Sequence, residues 1–222
     1  MTKRKQSQNE LVTRAYTATF RASEKEEERG VIEGTPIVFN QDTTIHSWGG
    51  DFIERIDPGA LKNADMKDVR LFVNHDTNKI ALARSKNGKG TMSFTIDEEG
   101  LHMRAVLDID NNAEARALYS AVQRGDMDGM SFMFRIDKEE WSNLDGDVPI
   151  RTINAISIIH EVSVVNFPAY QQTSVNARSS EETEYSPLEE ARRRHAEETA
   201  KVEAKNMLEI ERLKNQNIMK LI

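Results

Sequence analysis

The chain has 222 residues, enough for one domain with a proper core plus an appendage, but only 38% are hydrophobic and 30% are charged, which leaves part of it outside any core. It has no cysteine, which removes disulfides, thiolate metal sites and cysteine nucleophiles and leaves oxygen nucleophiles and carboxylates for chemistry. A net charge of −7 argues against nucleic acid as the main ligand, and without an apolar run of about 20 residues or a signal-peptide core a soluble cytosolic protein with no membrane partner is expected.

Leu11 to Phe20 has the β-branched and aromatic content of a strand, and the charged run Glu24 to Arg29 reads as a solvated loop. Gly30 to Phe39 reads as a second strand pair, broken or bulged near Gly34 and Pro36. A polar loop from Thr43 to Gly50 holds His46, and Asp51 to Ile56 is a short strand. Asp57 followed by Pro58 predicts a capped short helix running to about Asp65.

Val69 to Val73 is a compact apolar strand that delivers Asn74, His75 and Asp76 at its end. Ile80 to Arg84, Gly90 to Ile96 and Leu101 to Leu107 are further strands, separated by turn-forming residues. From Asn111 to Arg124 the period changes, with Ala115, Leu118, Tyr119 and Val122 three to four apart, predicting an amphipathic helix capped at Asp110 or Asn111 and stopped by Gly125. Ser131 to Ile136 and Ala155 to Val165 are strands, with Trp141 to Val148 an acidic loop between them, and Pro168 closes the last strand. Arg178 to Pro187 is Ser/Glu-rich, and Leu188 to Ile222 reads as one polar helix with Met207, Ile210, Ile218 and Leu221 on one face, suited to partner contact.

Ser131 sits between Met130 and Phe132, just past a turn-forming run, and is the candidate nucleophile. A serine hydroxyl attacks a carbonyl at neutral pH only with an imidazole to take its proton and a third group to orient that imidazole. His75, anchored by an apolar strand, is the candidate base. The third group comes from His160 or Glu161, adjacent residues that a strand points to opposite faces. Glu161, on the face of Ser163 and Val165, is preferred because a carboxylate stabilises the imidazolium, and His160 is the alternative. Gly129 to Met133 lacks the second glycine of a nucleophile elbow, and the five histidines have no tight ligand spacing, so neither a metal nor a cofactor is expected.

In order along the chain, Gly34 to Phe39, Phe52 to Leu61 (FIERIDPGAL), Leu71 to Asp76 (LFVNHD), Leu101 to Asp108, Gly125 to Arg135 and Glu161 to Ala169 (EVSVVNFPA) closely resemble the prohead maturation proteases of tailed bacteriophages, of the HK97 type. The resemblance covers about residues 14 to 178. That family is similar in fold to the herpesvirus assemblins, which implies an α+β fold with a mainly antiparallel β-barrel and surrounding helices, here followed by a long helical tail. It carries the nucleophile onto Ser131, the base onto His75 and the acidic third member onto Glu161, while the assemblins' second histidine matches the His160 alternative. The chain departs from the family pattern at Met133, where a small residue is usual, and at Ala83, where a glycine precedes the arginine. Backbone N–H groups near Ser131 are the expected oxyanion donors.

The resemblance implies a serine endopeptidase, acting inside an assembling procapsid in the host cytoplasm, that cuts scaffold sequence from the major capsid protein and then cuts itself. Residues 1–13 would be a flexible N-terminus, 14–178 the protease domain, and 179–222 a linker and removable scaffold-docking tail, with self-cleavage in or near Arg178 to Pro187. A homodimer is implied by analogy with the assemblins. The alternative function is a non-catalytic capsid assembly or scaffold protein that retains the fold.

Overall fold

A computed structural model describes residues 11–17, 20–23, 25–166 and 186–219. The elements follow as β1 (Leu11–Thr17), β2 (Phe20–Ala22), β3 (Val31–Val38), β4 (Thr43–Ile45), β5 (Phe52–Ile56), β6 (Asp68–Val73), β7 (Ala83–Lys86), β8 (Lys89–Gly90), β9 (Met92–Ile96) and β10 (Gly100–Val106). After them come α1 (Ala113–Gln123), β11 (Gly129–Ser142), β12 (Ile150–Val165) and α2 (Pro187–Met219). The Glu24 to Arg29 run contains a short 3-10 turn at Glu26–Glu28.

The expectation of an α+β chain with a long C-terminal helix holds, but the barrel does not. The strands form two open sheets, one of eight strands along the path β1-β11-β12-β6-β7-β8 with β5 paired to β12 and β4 to β5, and one of four in the order β2-β3-β10-β9. Closure requires the end strands of a path to pair, and among the described residues β1 pairs only with β11 and β9 only with β10. The divergence comes from β12. One edge takes antiparallel β11 along nearly its whole length, while the other takes β5 and then β6 in parallel, so the sheet fans out.

Between β5 and β6 the expected helix near Asp57 to Asp65 is a succession of turns laid along β12. Asp57 Oδ1 accepts the Gly59 N–H, as a cap would, but the Ala60 carbonyl accepts from Ile156 N–H, and Asp65 exchanges bonds with Ser157 and Ile159. Backbone groups that a helix would pair internally are taken by the neighbouring strand. Likewise Gly30 to Phe39 forms one strand and not two. Its pairing with β10 slips between Ile37 and Gly34, which places a bulge at Thr35 and Pro36, where proline has no N–H to give a ladder.

Both sheets contribute to one core. Met130, Phe132, Phe134, Val162 and Val164 from the large sheet meet Ile32, Ile37, Leu101, Met103 and Ala105 from the small one. Phe132 and Phe134 stack with centroids 4.6 Å apart. Helix α1 closes one side with Ala115, Leu118, Tyr119 and Val122. Its cap is Asn112, whose Oδ1 accepts from the Glu114 and Ala115 N–H groups, one residue later than expected.

Helix α2 does not begin as a free tail. Ser186 Oγ accepts the Glu189 N–H at its start, Leu188 and Ala191 are buried, and a Cβ at Gly49 would lie 2.0 Å from Ser186 Oγ. Farther along, Val202, Met207, Leu208, Ile210 and Leu213 are exposed. Pro168, the Ser/Glu-rich stretch from Arg178 up to residue 185, the N-terminal ten residues and Leu221 lie outside the described residues.

Candidate active site

Strand alternation in the middle of the large sheet makes two faces. On β11 the residues Met130, Phe132 and Phe134 point into the core, so Ser131 and Met133 share the opposite face. Ser131 pairs with Ser163 on β12 and Met133 pairs with Glu161, so all four lie on that face. Strand β6 runs parallel to β12 on its other side, with Phe72 beside Ser163 and Val73 beside Val164, and ends where His75 must turn back toward Ser131.

That turn uses an unusual backbone. Asn74 and His75 have φ of +51° and +59°, a left-handed pair that costs a histidine strain unless its surroundings hold it. Three bonds do so. Asn74 N–H donates to the Val164 carbonyl, Asn74 Oδ1 accepts from Asn166 N–H, and His75 N–H donates to Ser163 Oγ at 3.1 Å.

The imidazole then lies between two oxygen groups. His75 Nδ1–H donates to Glu161 Oε1 across 2.6 Å, and Ser131 Oγ lies 2.6 Å from His75 Nε2. A carboxylate only accepts, so it fixes the proton on Nδ1 and leaves the Nε2 lone pair facing the serine hydroxyl. Glu161 is buried and its other oxygen, Oε2, accepts from Ser163 Oγ–H at 2.7 Å. The Arg14 carbonyl, 2.9 Å from Ser131 Oγ, is a second acceptor for the single hydroxyl proton. Ser131 is fully covered and His75 is 23% exposed, so a peptide reaches Oγ only with local opening beside the imidazole.

The structure therefore brings together His75, Ser131 and Glu161. His160 goes elsewhere. It is the extra residue of a bulge, since Met133 pairs with Glu161 while Phe134 pairs with Ile159. Its Nε2 is buried without a hydrogen-bond partner among the described residues, and burial, helped by the nearby Arg135 charge, lowers its pKa. Around Ser131, β11 is paired on both sides, with Ala15 of β1 and Ser163 of β12 opposite the serine.

No role for Ser163, Asn74 or Arg14 follows from the sequence alone. The i, i+2 spacing of Glu161 and Ser163 was the one available signal for the first. Arg14 is held by a buried ionic chain. Its guanidinium bonds Glu54 at 2.5 and 2.9 Å, Arg151 reaches Glu54 at 3.2 Å, and Arg151 also pairs with Glu139. Arg194 of α2 approaches Glu139 at 3.5 Å. Burial pushes the Glu54 pKa up, but Arg14 and Arg151 outweigh it and hold the carboxyl below its ordinary 4.5. Of the other histidines, His46 pairs with Asp51 and His195 with Asp145. Among the described residues no group of three or more His, Asp or Glu side chains could hold a metal ion, and no helix is long and apolar enough to cross a membrane.

The chain is similar to the prohead protease of Enterobacteria phage HK97, at 31% identity over 155 residues, which cover 68% of this chain and 61% of that protein. The match thus spans less than two thirds of the relative's length. No solved structure matches the chain. The family model described as caudovirus prohead serine protease matches residues 16–186, a span that contains His75, Ser131 and Glu161, and the chain belongs to that family.

Proposed function

We propose that the protein is a serine endopeptidase of the assembling procapsid, with Ser131 as nucleophile, His75 as general base and acid, and Glu161 as the carboxylate that orients the imidazole. The observation that supports this most is the pair of 2.6 Å contacts that link Glu161, His75 and Ser131 in one line. Ser131 Oγ attacks the scissile carbonyl carbon as its proton passes to His75 Nε2, and Glu161 stabilises the imidazolium that results. Nε2–H then protonates the leaving amine as the C–N bond breaks, leaving an acyl group on Oγ. Water, deprotonated by the same Nε2, attacks the ester, and Ser131 regains its proton as the acid product leaves.

The substrates in this reading are the scaffold sequence of the major capsid protein and the protease itself, inside procapsids in the host cytoplasm. Residues 14–178 would be the catalytic domain and 179–222 a linker and tail. The exposed apolar residues of α2 beyond its docked start, Met207 and Ile210 among them, support contact with scaffold helices. A homodimer belongs to the same reading, and sedimentation of the intact chain over a range of concentrations measures it.

The test is co-expression with the matching capsid protein. Wild-type protein is expected to shorten both chains, and Ser131→Ala to leave both at full mass. Processing in the presence of Ser131→Ala at the wild-type rate would contradict the assignment.

A further inference from the structure

Beside the turn that carries His75 lies a cavity of about 410 Å³. Its walls are apolar, formed by Phe72 and Val73 at the end of β6, Leu82, and Leu118 on α1, with Met127 from the segment that leads into β11. Asn74 and Asp76, the residues on either side of His75, also line it. Phe72 is the strand neighbour of Ser163, the serine that holds both His75 N–H and Glu161. The cavity is thus continuous with the segments that deliver the base and the nucleophile.

Two features of its rim point to an apolar guest that arrives from solvent. Ile80 lines the cavity yet is 83% exposed, so an apolar lip stands in water next to an apolar hollow. Lys79 Nζ donates to Glu114 Oε1 at 2.9 Å, an exposed bridge from the His75 turn to α1 across the mouth. The volume lies at the small end of the roughly 300–1,000 Å³ range of ligand pockets. An extended peptide advances about 3.3 Å per residue, and the residues on both sides of His75 in sequence line the cavity, which puts the hollow beside the turn that carries the imidazole.

We propose that this cavity is a specificity pocket, which receives an apolar side chain of the cleaved peptide within a few residues of the scissile bond. The proposal rests on the reading of Ser131, His75 and Glu161 as the catalytic set. Burying the apolar side chain in the hollow and against Ile80 would tighten substrate binding.

Ala117 and Ile80 offer a test because both line the cavity from exposed positions outside the catalytic set. Ala117→Trp fills the hollow from the helix surface and Ile80→Asp charges its lip, with little demand on the core. Full-length wild-type protein and both variants would be given a mixed peptide library, with cleavage sites read by mass spectrometry, KM and kcat measured on the best-cut peptide, and Ser131 labelled with a small fluorophosphonate. Wild type is expected to select a large apolar residue at one position near the cut. Each variant is expected to raise KM for that peptide about tenfold or more, with kcat changed far less. Labelling of Ser131 should keep its wild-type rate. Wild-type cleavage without apolar selection, or variants with unchanged KM and selection, would overturn the pocket while leaving the catalytic set standing. Failure of wild-type protein to label at Ser131 would overturn the catalytic reading, and the pocket with it.

Discussion

Ser163 accepts the His75 backbone N–H and donates to Glu161, so it holds His75 and its carboxylate acceptor at once. Ser163→Ala leaves a strained histidine amide and a buried carboxylate oxygen each without a partner, at about 1–3 kcal/mol. If that loss falls on the transition state, kcat is expected to drop about tenfold to a hundredfold with KM nearly constant, which steady-state kinetics on one peptide would read. Glu161→Gln is harsher. An amide N–H facing Nδ1 favours the tautomer with its proton on Nε2, which cannot accept from Ser131, and a loss in kcat of roughly 10³–10⁴-fold is expected. Ser131, His75 and Glu161 were legible because each is a chemical type with a face or strand-end position. Ser163 and Arg14 were not, since they act on a backbone amide and through a backbone carbonyl, and such partners carry no residue signature.

Helix α2 combines two regimes in one element. Its first turns bury Leu188 and Ala191 against the body, and His195 reaches Asp145 at 3.1 Å, while Met207 stands in water. Leu188→Ala is expected to lower unfolding free energy by about 2–5 kcal/mol, and Met207→Ala to stay within about 0.5 kcal/mol of wild type, both measured by denaturant titration. The amphipathic period identified α1 and the polar run from Leu188 read as a long helix, but the docked start of α2 depends on Gly49 and Ser186 meeting, residues far apart in sequence. The cap of α1 fell one residue late because Asp110, Asn111 and Asn112 are all capping types and only Asn112 reaches the free N–H groups. Near Asp57 the same cap signal opened turns, because β12 claimed the backbone groups a helix needs.

Across the whole molecule, β12 is the element on which both the sheet and the site depend. Its parallel edge accepts β5 and β6, which turned an expected closed barrel into an open sheet, and parallel pairing between segments about 90 residues apart leaves no local trace in sequence. The buried chain of Arg14, Glu54, Arg151 and Glu139 ties β1, β5, β11 and β12 together, and Arg194 extends it to α2. Glu54→Gln removes the buried charge that Arg14 and Arg151 share, although Arg151 keeps Glu139, and is expected to cost about 3–5 kcal/mol at neutral pH. The Glu54 carboxyl has a lower pKa folded than unfolded, so its contribution is complete above about pH 4.5 and is lost as pH falls through the folded value. Denaturant midpoints of wild type and Glu54→Gln should therefore converge as pH drops below about 4.5.

The coupling of Ser131 to His75 is most directly read by site-mapped labelling with a fluorophosphonate, in which Oγ displaces fluoride from phosphorus only when a base takes its proton. The expected result is a single adduct on Ser131 in wild-type protein and a rate at least a hundredfold lower in His75→Ala, about 2.7 kcal/mol of lost activation. Equal labelling of Ser131 in the two proteins, or an adduct on another serine instead, would contradict the account.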